Sequence, residues 1–135
     1  MRYILFILSI LFISPLFAQN VLWETNIDKA FDKSTSSNKP MLVYLTMDNC
    51  IYCDQMRDIT WKDVRILRLM ADFVPLKLKV NDQPDEVGLF KPRGFPTTLI
   101  IKPRTENNRK FLDVKYSSPG FIPATKLQEA LESNK

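Results

Sequence analysis

The sequence predicts an α/β domain with a central mixed β-sheet and helices on both of its faces. An almost unbroken apolar, β-prone run at residues 41–47 is typical of a strand buried on both faces of a sheet. Strand-like and helix-like patterns alternate along the chain in the order β-α-β-α-β-α-β-β-α. The 135 residues, of which 45% are hydrophobic, are enough for one domain with one such core.

Residues 1–18 have the pattern of a signal peptide. Arg2 provides the positive start, residues 3–17 form the apolar block, and Ala18 is the small residue at the cleavage site. The apolar run is shorter than the roughly 20 residues that a membrane-spanning helix needs. We therefore expect a signal peptide at 1–18 and a mature domain at 19–135 that is periplasmic or secreted, with no membrane insertion after cleavage. An uncleaved N-terminal anchor is the alternative.

The first half of the domain begins with a short apolar run at 21–23, which predicts an edge strand. Apolar residues at helical spacing predict a helix over 27–33, and the polar, Ser-rich stretch 34–39 predicts a loop. The buried strand 41–47 follows, and the pattern then predicts a helix over 50–59 directly after it.

A further helix is predicted over 61–72, with an inward face that comprises Val64, Leu67, Leu69 and Met70. The alternation of apolar residues with Lys77 and Lys79 predicts a strand over 73–80. The remaining predicted elements are one or two helical turns at 85–90, a loop at 91–96, a hairpin of strands 97–102 and 110–116, and a C-terminal helix at 124–133. Leu127, Ala130 and Leu131 form the inward face of that last helix.

The charge of the chain argues against nucleic acid as a partner. The formal net charge is only +4, and the Lys and Arg residues are scattered along the sequence. A phosphate-binding face requires a dense run or stripe of such residues.

Cys50 and Cys53 are the only cysteines, and they form a Cys-x-x-Cys pair. Two thiols at this spacing can close and reopen a disulfide, although the same spacing occurs in zinc sites and in inert disulfides. A zinc or iron–sulfur site needs about four ligands, and the chain has no histidine. A ring this small also adds little stability. The pair therefore favours redox chemistry with no metal and no bound cofactor; an inert disulfide or a metal shared by two chains are the alternatives.

Three segments, taken in order, resemble the thioredoxin superfamily. They are the strand 41–47 followed by Cys50-Ile51-Tyr52-Cys53, the strand 73–80 followed by a turn at 81–84, and Arg93-Gly94-Phe95-Pro96-Thr97 before a strand. The resemblance covers roughly residues 20–133 and implies the thioredoxin fold. It also implies that the Phe95–Pro96 peptide bond is cis, which few X-Pro bonds are.

The resemblance implies a role for each site residue. Cys50, at a helix N-terminus where free N–H groups and the helix dipole favour thiolate, is the expected nucleophile, and the more buried Cys53 is the expected resolving thiol. The implied substrate-binding residues are Ile51, Tyr52, Phe95, Pro96 and Thr97. No cofactor is expected beyond the Cys50–Cys53 disulfide itself.

The chain departs from familiar thioredoxins at one position of the strand before the Cys-x-x-Cys motif. Familiar thioredoxins carry a buried aspartate there, and by register Tyr44 occupies this position here. The lysine that accompanies this aspartate aligns with Lys77, which becomes the candidate for a proton relay. Asp48 and Asp54 flank the motif, and their charges would raise the pKa of Cys50.

The resulting hypothesis is an exported thiol:disulfide oxidoreductase, acting as a monomeric reductant of protein disulfides and recharged by a membrane electron donor. Oxidase and isomerase roles remain alternatives because they depend on the reduction potential of the pair. A second alternative is a binding module that holds a partner in the groove around Tyr52 and Phe95–Pro96, with the cysteines incidental.

Overall fold

The structure is a computed structural model that describes residues 21–135, so the predicted signal peptide at 1–18 lies outside the described residues. The helices are α1 (Ile27–Ser37), α2 (Ile51–Asp58), α3 (Val64–Leu69), α4 (Pro84–Gly88) and α5 (Ala124–Asn134). The strands are β1 (Met41–Thr46), β2 (Val74–Lys79), β3 (Thr97–Glu106) and β4 (Arg109–Pro119). Within residues 21–135, no helix combines the length and the apolar character needed to cross a bilayer.

The four strands form one mixed sheet in the order β2-β1-β3-β4. β1 is parallel to β2 and antiparallel to β3, and β3 and β4 form an antiparallel hairpin. The predicted edge strand at 21–23 is wrong in extent, because only Glu24 joins the sheet, through a single parallel bridge to Leu76. At this bridge the Glu24 N–H donates to Pro75 O and the Lys77 N–H donates to Glu24 O, each over 2.8 Å, on the outer edge of β2.

Helices cover both faces of the sheet, as the sequence predicts. On one face, Leu42 and Tyr44 of β1 pack with buried residues of α2, α3 and α5. On the other face, Val43 and Leu45 pack with buried residues of α1 and α4. Because both faces are covered, all six residues of β1 are buried.

Helix α1 is longer than predicted, and the predicted loop at 34–39 is wrong over its first four residues. The serine and threonine side chains there bond back to carbonyl groups of the preceding turn: the Thr35 hydroxyl donates to Phe31 O over 3.1 Å and the Ser37 hydroxyl to Lys33 O over 2.6 Å. The helix ends at Asn38, whose left-handed φ of 53° makes it the C-cap.

The predicted helix at 61–72 is also wrong as a single element. A 3₁₀ turn, Thr60–Lys62, comes first, and Asp63 then starts α3 as an N-cap that accepts a hydrogen bond from Arg65 N over 2.9 Å. Because the helix restarts at Asp63, its buried residue is Ile66, and Val64, predicted to face inward, is 56% exposed.

The hairpin of β3 and β4 extends beyond both predicted strands. Its turn residues Asn107 and Asn108 have φ of 50° and 59°, the left-handed values that a tight two-residue hairpin turn requires. For the C-terminal helix, the predicted inward face of Leu127, Ala130 and Leu131 is confirmed.

Candidate active site

The cysteines lie where β1 ends and α2 begins. Asn49 has a left-handed φ of 51°, a conformation that asparagine tolerates better than most residues. The Asp48 N–H donates to Asn81 Oδ1 over 2.8 Å, which ties this turn to the loop after β2. The chain thereby reverses direction and presents Cys50 as the N-cap of α2.

Cys50 and Cys53 form a disulfide, with their Cα atoms 5.2 Å apart. Cys50 Sγ accepts a hydrogen bond from the Cys53 N–H over 3.1 Å, so the sulfur occupies the position of a capping oxygen. Cys50 is half-buried, whereas Cys53 is 5% exposed. Backbone N–H groups at a helix start stabilise an anion, and the geometry therefore favours the thiolate at Cys50 when the pair is reduced.

Tyr44 lies below Cys53 in the core. Its hydroxyl donates to the Cys53 carbonyl oxygen over 3.3 Å, and its ring centroid lies 5.9 Å from that of Trp23 and 5.2 Å from that of Trp61. Burial raises the pKa of Tyr44, and the nearby hydroxyl of Thr46 opposes that rise. The hydroxyl therefore stays protonated at neutral pH and is a hydrogen-bond donor here, not a base. Trp23 and Trp61 both pack on the Tyr44 ring.

A cleft of about 190 Å³, which we name the Cys53 cleft, opens beside the buried cysteine. Its lining comprises Tyr44, Thr46, Met47, Asp48, Asn49, Cys53, Asp54, Arg57, Lys77 and Lys79. Lys77 pairs with Tyr44 in the register of β1 and β2, which brings the two side chains to the same face of the sheet. The structure thus brings the predicted relay lysine and Cys53 to one cleft.

Both aspartates of the Cys53 cleft form ion pairs. Asp54 pairs with Arg57 over 2.8 Å and Asp48 pairs with Lys79 over 3.3 Å. Each carboxylate therefore has a cation at ion-pair distance, which offsets the negative charge that the sequence places beside Cys50. Arg57 and Lys79 also pair with Asp58 and Asp82, whereas Lys77 forms no ion pair within residues 21–135.

The Phe95–Pro96 segment reaches the same end of the sheet through strand register. Thr97 pairs with Leu45, the residue before the last of β1, and the Phe95–Pro96 bond is cis. The Thr97 hydroxyl donates to Gly94 O over 2.6 Å, and the Pro96 carbonyl accepts from Gly120 N over 2.7 Å. Phe95, which is half-buried against the core, forms no backbone–backbone hydrogen bond within residues 21–135.

Apolar side chains surround the exposed side of the disulfide. Ile51 is 69% exposed and Tyr52 is 54% exposed on the first turn of α2, and Met47 is 38% exposed just after β1. Met47 was predicted to lie in the buried strand, but β1 ends one residue earlier at Thr46. Contiguous exposed apolar groups are typical of surfaces that bind another polypeptide.

Sequence reasoning missed two polar side chains that lie beside Tyr44. Thr98 is the partner of Tyr44 in the register of β1 and β3, and Trp61 packs on the Tyr44 ring. A Thr-Thr pair after Gly-Phe-Pro is visible in the sequence, but the antiparallel register that brings Thr98 to Tyr44 is not. Within residues 21–135, no group of three or more His, Cys, Asp or Glu side chains is arranged to hold a metal ion.

A family model described as thioredoxin-like matches residues 22–103. Among solved structures, a thioredoxin from Thermus thermophilus matches with a TM-score of 0.67 and 19% identity, over 81% of this chain and 83% of that chain. The DsbH oxidoreductase matches with a TM-score of 0.65 and 19% identity, over 87% and 89% of the two chains. The oxidised C-terminal domain of Neisseria meningitidis DsbD matches with a TM-score of 0.60 and 18% identity, over 84% and 99%. At these identities the structural matches establish the fold.

Two curated proteins match in sequence. The thiol:disulfide interchange protein DsbD of Ralstonia nicotianae is 29% identical over 87 residues, which are 62% of this chain and 14% of that protein. Human spermatogenesis-associated protein 20 is 26% identical over 100 residues, which are 67% of this chain and 12% of that protein. The chain thus spans only a small part of the length of either relative.

Proposed function

The chain belongs to the thioredoxin-like family, and we propose that it acts as an exported thiol:disulfide oxidoreductase that reduces disulfides in partner proteins. The observation that carries the proposal is the asymmetry of the Cys50–Cys53 disulfide. Cys50 caps a helix, with its Sγ bonded to a backbone N–H over 3.1 Å, whereas Cys53 is 5% exposed. One sulfur is accessible and stabilised as thiolate, and the other is protected until the first has reacted.

The proposed reaction has two exchange steps. The Cys50 thiolate attacks one sulfur of a partner disulfide, forming a mixed disulfide and expelling the other partner sulfur as a thiolate, which takes a proton from water. Cys53 then loses its proton and attacks Cys50 Sγ, which forms the Cys50–Cys53 bond and releases the second partner thiol. Two electrons pass from the cysteine pair to the partner, and no cofactor takes part.

The partner segment is proposed to bind across the apolar rim of the site. Ile51 and Tyr52 contact it beside Cys50, and Phe95, Pro96 and Thr97 contact it from the start of β3. The backbone of Phe95, which has no backbone–backbone partner within residues 21–135, is suited to pair with an extended peptide in the manner of an added strand.

Lys77 is proposed to assist the loss of the Cys53 proton. It lines the Cys53 cleft and its charge is not balanced by an ion pair within residues 21–135. A cation near a thiol favours the thiolate, so Lys77 would lower the free energy of the attacking form of Cys53.

Export, a membrane electron donor and a monomeric state complete the proposal. Export is supported by the signal-peptide pattern of residues 1–18, and the likeness to an interchange protein supports exchange with other thiol proteins. The direction as a reductant is tested by the reduction potential in glutathione buffers. A value near about −270 mV supports a reductant, and one near about −120 mV supports an oxidase instead.

Two serine variants test the enzyme activity, and each is the control for the other. Cys50→Ser should abolish the reduction of insulin driven by dithiothreitol, because the nucleophile is lost. Cys53→Ser should retain Cys50 and accumulate mixed disulfides, visible as bands that dithiothreitol removes. If both variants equal the wild type in the reduction assay, the enzyme proposal fails. If both also still hold a partner, the binding-module alternative is favoured.

A further inference from the structure

A small set of polar atoms surrounds Tyr44 inside the core, and two of them have no hydrogen-bond partner. Trp61 Nε1 and Thr98 Oγ1 are both buried and without a partner within residues 21–135. Trp61 is 7% exposed and Thr98 is fully buried. Buried polar groups are nearly always paired, so two such atoms on the neighbours of one tyrosine need an explanation.

Both atoms belong to side chains that adjoin Tyr44 on the same face of the sheet as Cys53. The Trp61 ring meets the Tyr44 ring edge-on at 5.2 Å between centroids. Thr98 is the β3 residue directly opposite Tyr44, and paired residues project from the same face of a sheet. The Tyr44 hydroxyl in turn donates to the Cys53 carbonyl oxygen over 3.3 Å. We name the polar groups of Tyr44, Trp61 and Thr98 the Tyr44 chamber.

The Tyr44 chamber is neutral and adjoins a cleft that charged side chains line. Tyr44 and Cys53 both line the Cys53 cleft, in which Lys77 is the cation that no ion pair balances within residues 21–135. The charged groups that face Cys53 are Asp54 and Arg57 from α2, Asp48 from the turn before α2, and Lys77 and Lys79 from β2. Arg57 pairs with Asp54 and with Asp58, and Lys79 pairs with Asp48 and with Asp82.

We infer that Tyr44 is a positioning residue for the resolving step: its hydroxyl, in the neutral chamber that it forms with Trp61 and Thr98, holds the Cys53 carbonyl so that Cys53 is placed for attack, while the Cys53 proton leaves through the cleft beside Lys77. The inference rests on the proposed function. The Cys53 S–H bond breaks, its proton passes to water in the cleft, and the sulfur forms the bond to Cys50 as the partner thiolate departs. The Tyr44 hydroxyl donates to the Cys53 carbonyl, so it acts on the placement of Cys53, and the Lys77 cation that lines the same cleft favours the developing thiolate.

The reaction of the fully reduced protein with Ellman's disulfide separates the two thiols. Cys50 attacks first and releases one nitrothiobenzoate, and Cys53 then attacks the mixed disulfide and releases a second. A stopped-flow trace gives a rate for each release, and the pH dependence of the second rate reports on Cys53. The first release serves as an internal control in every variant.

Tyr44→Phe removes only the hydroxyl and keeps the ring in the aromatic cluster. The second release should slow by about 3- to 10-fold, the size expected for one lost hydrogen bond, while the first release is unchanged. Tyr116→Phe is the matched control, since Tyr116 packs against the same core but on β4, and it should change neither release. Equal slowing of both releases, or no slowing of the second, would overturn the inference.

Thr98→Val provides a second variant that keeps the shape of the side chain. It should slow the second release in the same direction as Tyr44→Phe, and a second release at the wild-type rate contradicts a role for the chamber. A wild-type protein that releases only one nitrothiobenzoate would instead refute the proposed function itself, since Cys53 would then resolve nothing.

Discussion

Cys50 and Cys53 lie three residues apart on one turn of α2, but the regions around them differ in burial and polarity. The outer region, around Cys50, presents exposed apolar side chains such as Ile51 and Tyr52. The inner region, around Cys53, is buried and combines an aromatic cluster with polar groups. The difference is the basis of the division of work that we propose, in which the outer region binds a partner and the inner region controls the second exchange step.

The largest expected difference between the two regions is in how much a truncated side chain lowers the free energy of unfolding. Met56 lies on the inner face of α2, is fully buried and accepts a hydrogen bond at Sδ from Ile122 N over 3.3 Å. Met56→Ala should lower the free energy of unfolding by about 2–5 kcal/mol, because it leaves a cavity in the core. Ile51→Ala, at a side chain 69% exposed, should change it by less than about 0.5 kcal/mol.

Urea unfolding of both oxidised variants checks this contrast. A loss for Ile51→Ala as large as that for Met56→Ala would mean that the outer region is part of the core, and the proposed contact surface would have to be placed elsewhere.

The next effect concerns recognition by the outer region. Ile51→Ser and Tyr52→Ser should each lower kcat/KM for a protein disulfide by about 3- to 10-fold, as truncation of an interface side chain does. The reaction with Ellman's disulfide should be unaffected, since so small a substrate needs no contact surface. Ile59→Ser is the matched control, because Ile59 is 57% exposed at the far end of the same helix. Equal losses for all three variants with the protein substrate would contradict a localised surface.

The smallest expected effect is on how the free energy of unfolding falls at alkaline pH, which depends on Tyr44 in the inner region. Because burial raises the Tyr44 pKa, the folded state keeps this proton at a pH where the unfolded chain loses it. The stabilisation from Tyr44 is complete below the ordinary tyrosine pKa of about 10 and is lost as the pH rises through the higher folded-state value. Urea unfolding followed above about pH 10 should show a shallower loss of stability for Tyr44→Phe than for Tyr116→Phe. Equal pH dependence in both variants would show that the hydroxyl is not held in a buried environment.

Much of the fold could be predicted from the sequence because its signals are local. The apolar run at 41–47, the alternation in 73–80 and the helical spacing in 124–133 each concern residues within a few positions of one another. The errors have local causes too. Hydroxyl side chains that bond back to their own helix extended α1 beyond its predicted end, and the N-cap at Asp63 restarted a helix that the periodicity had read as continuous.

The candidate site likewise contains residues that local signals identify and residues that only the fold brings together. Cys50 and Cys53 and their neighbours Ile51 and Tyr52 were identified from adjacent residues, and the chemistry of a Cys-x-x-Cys pair follows from its spacing. The surroundings of Cys53 come from separate segments: Tyr44 in β1 bonds to its carbonyl, and Trp61 after α2 and Thr98 in β3 adjoin Tyr44.

By itself, the sequence determined an α/β sheet with helices on both faces and a redox pair at the end of its central strand, since both depend on periodicity and spacing along the chain. Only the tertiary structure decided what surrounds the second sulfur. The registers of β1 with β2 and β3 brought Lys77 and Thr98 to Tyr44, and the ion pairs of Asp48 and Asp54 left Lys77 as the cation of the cleft that is not balanced within residues 21–135. Such contacts join residues distant in the chain, and pairwise distances in the folded state determine their electrostatics.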